Sequence, residues 1–107
     1  MNSDEDKRRF NTILVEAILE GIDFGEVVLR FLELNFNLER DKIAETPELF
    51  AYALEKTLGP WMAEIFERNI LRILCERISI EYPDIEDLTF AEEVKRAYEK
   101  YLKKNSP

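Results

Sequence analysis

Apolar residues recur at three- and four-residue spacings along nearly the whole chain, a pattern that predicts helices. Over residues 4–20, Phe10, Ile13, Leu14, Ala17 and Ile18 share one face. Asp4, Glu5 and Asp6 sit at the start of this segment, where acids suit the helix dipole. Gly21 marks a stop, and Asp23 can cap a second helix over residues 24–36. There Val27, Val28, Phe31, Leu32, Leu34 and Asn35 cover a wide arc, leaving Glu26, Arg30 and Glu33 as a narrow polar stripe. Glu26 and Arg30 stand four apart in the order that favours pairing. A strand competes for part of this segment, because Leu32, Leu34, Phe36 and Leu38 alternate with polar residues. No second strand is available to pair with it, so helix is preferred.

Residues 37–45 read as a connector with one helical turn that buries Leu38 and Ile43. Thr46-Pro47-Glu48 then predicts a helix start from a hydroxyl cap, a first-turn proline and an acid. Helix three carries Leu49, Phe50, Ala53, Leu54 and Leu58 inward. Gly59 ends it and Pro60 opens helix four. Trp61, Met62, Ile65, Phe66, Ile70, Ile73 and Leu74 form a broad stripe there, widened by Leu71, Cys75 and Ile78, which marks this as the central helix. Its polar edge holds Glu64–Arg68 and Arg72–Glu76 at pairing distance. An acidic loop follows residue 78, stopped by Pro83, before the capping box Thr89-Phe90-Ala91-Glu92. In helix five Phe90, Val94, Ala97, Tyr98, Tyr101 and Leu102 run down one face, which suits packing on the domain or on a second copy. The expectation is an all-α fold: one domain over residues 1–107, a compact bundle of about five helices built from helical hairpins, with residues 1–3 and 103–107 frayed.

Two stretches share a pattern. Phe31-Leu32-Glu33-Leu34-Asn35-Phe36 and Ile65-Phe66-Glu67-Arg68-Asn69-Ile70 both read apolar, apolar, Glu, any, Asn, apolar. Phe24-Gly25 precedes the first and Leu58-Gly59 the second, as two hairpins related by a pseudo-twofold require; chance likeness of two amphipathic helices is the other reading. The stretches FGEVVLRFLE, PELFAYALEKTLGP and IFERNILRILCERI give residues 13–78 a resemblance to a family of small archaeal output domains, first named from Nitrosopumilus sensory proteins. The resemblance implies an all-helical module found alone or attached to signalling proteins. It implies no catalytic residue, because none is established for the family. Where the family usually has a glycine after the second helix, this chain has Asn35-Phe36-Asn37.

Composition narrows the function classes. At 46% hydrophobic and 36% charged, the chain suits a globular domain rather than a disordered one. The net charge of −8 disfavours nucleic acid as a partner, although the last 19 residues carry five bases against three acids. No apolar run approaches the ~20 residues of a membrane span, no signal peptide is visible, and one cysteine fits a reducing compartment. A cytoplasmic protein is expected, without nucleic acid or membrane as partner.

The absence of histidine removes Ser-His-Asp, Cys-His and histidine-containing metal sites, and the Glu-x-x-His motif of di-iron bundles. Glu16 and Glu20 share a helix face, and the 81–87 loop carries four acids without the spacing of a calcium-binding hand. Ordinary solvated carboxylates are the preferred reading for both, and Cys75 reads as a packing thiol. No catalytic residue, cofactor or metal is therefore expected, and no enzyme. Asn35 and Asn69 stand within apolar arcs, where each either bonds a carbonyl or the other amide, or meets a ligand or partner. Trp61, Phe66, Tyr98 and Tyr101 are the candidate anchors of a protein interface. Two functions fit. One is a protein–protein interaction or signalling-output module, self-associating as a homodimer or binding another protein through the apolar faces of helices two, four and five. The other is a small-ligand or lipid sensor with an internal apolar cavity.

Overall fold

The computed structural model describes residues 3–82 and 88–105. Five α-helices and one 3-10 helix follow in order: α1 (Ser3–Gly21), α2 (Gly25–Phe36), the 3-10 helix (Arg40–Glu45), α3 (Pro47–Leu58), α4 (Pro60–Arg77) and α5 (Phe90–Lys104). No strand occurs among the described residues, so the all-helical expectation holds. Positions 83–87 of the acidic loop after residue 78 lie outside the described residues.

The α1–α4 contact is the most extensive, and α1 also carries the 3-10 helix; α3 packs on α4 and on α5. Phe10, Leu14, Ile18, Ile22, Leu32, Ile43, Phe50, Leu54, Ile70 and Leu74 are fully buried where these helices meet. Each such side chain stabilises the fold by roughly 1.5–3 kcal/mol. The connector buries Leu38 and Ile43 as its pattern predicts. Asn11 fixes it in place from α1. Its amide nitrogen donates to the Arg40 carbonyl at 2.9 Å, and its oxygen accepts from the Ala44 N–H at 2.8 Å.

Turn chemistry explains the reversals. Gly59 adopts φ 87° and ψ 157°, backbone space that essentially only glycine enters. With Pro60 pre-set for the first helical turn, a single residue folds α4 back on α3. Asn37 takes the left-handed conformation (φ 55°, ψ 30°) at the end of α2, and its N–H bonds the Leu32 carbonyl. Asparagine thus fills the position where a glycine is common.

Several local expectations need correction. Asp23 makes no capping bond at α2, and Thr46 makes none at α3; the Thr46 hydroxyl donates instead to the Lys42 carbonyl at 3.1 Å. Glu26 forms a two-pronged pair with Arg40 at 2.8 and 2.9 Å rather than pairing with Arg30, because the 3-10 helix brings a guanidinium closer to it. Glu64–Arg68 forms at 3.0 Å, whereas Arg72–Glu76 is not among the ion pairs of the described residues. The capping box of α5 is present in both halves. Helix α5 continues to Lys104, whose ammonium donates to the Ser79 carbonyl at 2.7 Å.

Candidate functional site: an exposed apolar face on α2 and α4

Helix α2 has two apolar faces. Gly25, Val28, Leu29 and Leu32 turn into the core. Phe24, Val27, Phe31 and Leu34, spaced three, four and three apart, form a second stripe that stays in solvent, with Val27 69% and Leu34 75% exposed. That spacing is the seam of a coiled coil. Val27, Phe31 and Leu34 line a shallow hollow between Glu26 and Arg30.

Helix α4 divides along its length. Ile70, Leu71, Ile73, Leu74 and Cys75 are buried, but Trp61, Met62 and Ile65 are 78%, 40% and 41% exposed. The broad stripe expected to be central therefore supplies the core only in its second half. In the first turns of α4 the small Ala63 reaches the core while its larger apolar neighbours stay in solvent.

Phe24 joins the two strips. Its ring meets that of half-buried Phe66 edge to face, with centroids 5.6 Å apart at 89°. Phe66 lies one turn from Met62 and beside Ile65, so the apolar surface is continuous from α2 to α4. The seven exposed side chains present on the order of 700 Å², above the roughly 300–600 Å² of the largest patch on a typical monomer.

The candidate residues separate into two groups. Trp61, Phe66, Asn35 and Asn69 belong to this face. Asn35 is exposed and its amide donates to the Phe31 carbonyl at 2.9 Å. The side-chain amide of half-buried Asn69, one turn beyond Ile65, makes no hydrogen bond among the described residues. Tyr98 and Tyr101 belong elsewhere. They pack on Phe10 with centroids 5.0 and 5.6 Å apart, and Tyr101 is buried. Phe90 likewise packs on Phe50. The apolar stripe of α5 is thus largely taken up inside the domain, with Tyr98 and Leu102 partly exposed.

Several further titratable groups are paired or perturbed. Glu16 and Glu20 both grip Arg77, at 3.0 and 2.5 Å, which offsets two carboxylates at the unfavourable end of the α1 dipole. Burial, helped by nearby Glu93, pushes the Cys75 thiol up to about 11, so it is protonated and inert at neutral pH. Glu93 is itself buried, with Oε1 unpartnered, and burial raises its carboxyl against the pull of Arg96 and Lys100. Burial, together with Glu55 and Glu64, pushes Glu67 to about 7. No cluster of three or more His, Cys, Asp or Glu able to hold a metal occurs among the described residues. An open cleft of about 600 Å³ lies at the start of α1, lined by mixed charges from Lys7, Arg8, Asp41 and Lys42 beside Phe10 and Tyr98. No helix among the described residues is long and apolar enough to cross a membrane.

The sequence places Val27, Leu34, Met62 and Ile65 on the apolar arcs of helices two and four whose surplus surface suits a partner, but spacing alone does not single them out as site residues. The signal was present in the width of the α2 arc. A helix that buries one face has no use for apolar residues both at 25, 28, 29 and 32 and at 24, 27, 31 and 34. Compared with family models, with curated proteins and with solved structures, the chain matches none.

Proposed function

We propose that the protein is a non-enzymatic protein–protein interaction module that docks its partner on the outer faces of α2 and the first half of α4. The observation that supports this most is the continuous apolar surface joined through Phe24 and Phe66. Exposing it costs about 25 cal/mol per Å² relative to covering it, and patches of this size mark interaction sites. Trp61 and Phe66 are the aromatic anchors, and the amides of Asn35 and Asn69 add directional contacts at the rim. Such a surface suits a signalling-output module, the role that the resemblance to small archaeal output domains implies.

A photo-crosslinking residue in place of Leu34 tests the reading in extracts of the cells that make the protein. The expected result is an adduct of defined mass from position 34 and none from the same residue in place of exposed Lys103. Equal yields from the two positions, or no adduct from either, contradict it.

A further inference from the structure

The two halves of the exposed face carry one repeated design. On α2, Val27, Phe31 and Asn35 stand four residues apart, and on α4 Trp61, Ile65 and Asn69 do the same, at a constant offset of 34. At the two apolar positions the matching extends to exposure: Val27 and Trp61 are 69% and 78% exposed, and Phe31 and Ile65 are 43% and 41% exposed, whereas Asn35 is exposed and Asn69 half-buried. Each ladder ends in an amide. The short sequence repeat thus has a counterpart on the surface, where two helices present the same apolar, apolar, amide series. Core packing does not explain it, since the ladders lie outside the core.

We infer that the occupant of this face is a second copy of the chain, in a twofold dimer that seats the α2 ladder of each copy on the α4 ladder of the other. The inference rests on the docking reading above and names its partner. Two arguments carry it. The first is area: an exposed apolar surface on the order of 700 Å² per copy is close to the roughly 800 Å² per partner that a stable interface buries. The second is self-complementarity, because a twofold axis requires one patch that recognises itself. Two matched ladders meet this condition when each faces the other's equivalent. Phe31 of one copy then meets Ile65 of the other at the centre, and the unpartnered Asn69 amide gains polar contacts at the edge.

Charge gives the dimer a signature. Each copy carries −8, so the two repel at long range and salt screens that repulsion. A basic foreign partner has the opposite dependence.

Light scattering behind a sizing column, across chain concentration and at low and high salt, is paired with crosslinking of two single variants, Phe31→Cys and Ile65→Cys. The expected mass is twice 12.7 kDa, reached at lower concentration as salt rises. Mixed under mild oxidation, the two variants form a disulfide-linked dimer, while each alone forms several-fold less. Both positions are partly exposed, and circular dichroism verifies that the variants fold. A mass of 12.7 kDa at every concentration and salt overturns the inference, as does crosslinking of Phe31→Cys with itself in preference to Ile65→Cys. A monomer whose position 34 still captures a heavier foreign protein in extract overturns the dimer alone and leaves the docking face standing.

Discussion

Phe24 and Phe66 stand edge to face, 5.6 Å between centroids, and this contact makes one surface of two helices. Phe24 belongs to the turn before α2, and Phe66 is the last partly buried ring before α4 enters the core. Truncating Phe24 to alanine removes the aromatic contact and separates the strips. The expected cost is about 1 kcal/mol in urea unfolding. Val27→Ser, equally part of the face but without a ring contact, is expected within about 0.5 kcal/mol of the parent. Equal losses for the two contradict the assignment.

Asn11 is the main polar tie of the connector. Replacing it with alanine leaves the Arg40 carbonyl and the Ala44 N–H without their side-chain partner. A loss of about 2–3 kcal/mol is expected, read as a lower urea midpoint at unchanged slope. Asn11→Asp keeps the acceptor and turns the donor into a second acceptor facing a carbonyl, so it is expected to be destabilising as well.

The fold was legible where one face of a helix does one job. In α1, α3 and α5 the apolar spacing located Phe10, Phe50 and Phe90 in the core, and Gly59-Pro60 and the α5 capping box set boundaries that the structure keeps. It was illegible where an apolar residue has two possible uses. Ile65 and Ile70 look alike in sequence; tertiary packing decides that one is 41% exposed and the other fully buried. Tyr101 and Trp61 were equal candidates for the same reason, and tertiary packing sent the first inside. Asn11 gave no signal, because its partners lie 29 and 33 residues away.

Glu67 makes stability depend on pH with a definite sign. Its carboxyl is raised from 4.5 to about 7 in the fold, so between these values the folded state holds a proton that the unfolded state has lost. The contribution is complete below about pH 4.5 and disappears as pH rises through about 7. Because the group is only half-buried, solvent screening reduces the effect to about 1–2 kcal/mol. Unfolding midpoints at pH 5 and pH 8 are expected to differ in that direction, and Glu67→Gln to flatten the profile; the raised carboxyl of Glu93 leaves a residual slope of the same sign. An unchanged profile in the variant contradicts this.

Gly59 offers open space to a side chain but not a permitted backbone. Gly59→Ala meets nothing within 4 Å, yet it must hold φ 87°. A loss of about 1–3 kcal/mol is expected from strain alone, without loss of helix content by circular dichroism.

Cys75 is the only cysteine, and its thiol is held near 11. At pH 8 on the order of one thiol in a thousand is ionised. Alkylation of the native protein is therefore expected to be at least about 100-fold slower than that of the urea-unfolded chain. Comparable rates contradict the buried placement.

Trp61 reports directly on whether a second copy covers this face, because it is the only tryptophan and sits 78% exposed on the proposed interface. Acrylamide quenching of its fluorescence, followed as chain concentration rises, reports whether that face becomes covered. Quenching is expected to weaken with concentration, with a blue-shifted emission and a stronger effect at high salt. Strong, concentration-independent quenching at both salt levels would show that Trp61 stays in solvent and would contradict a second copy seated on this face.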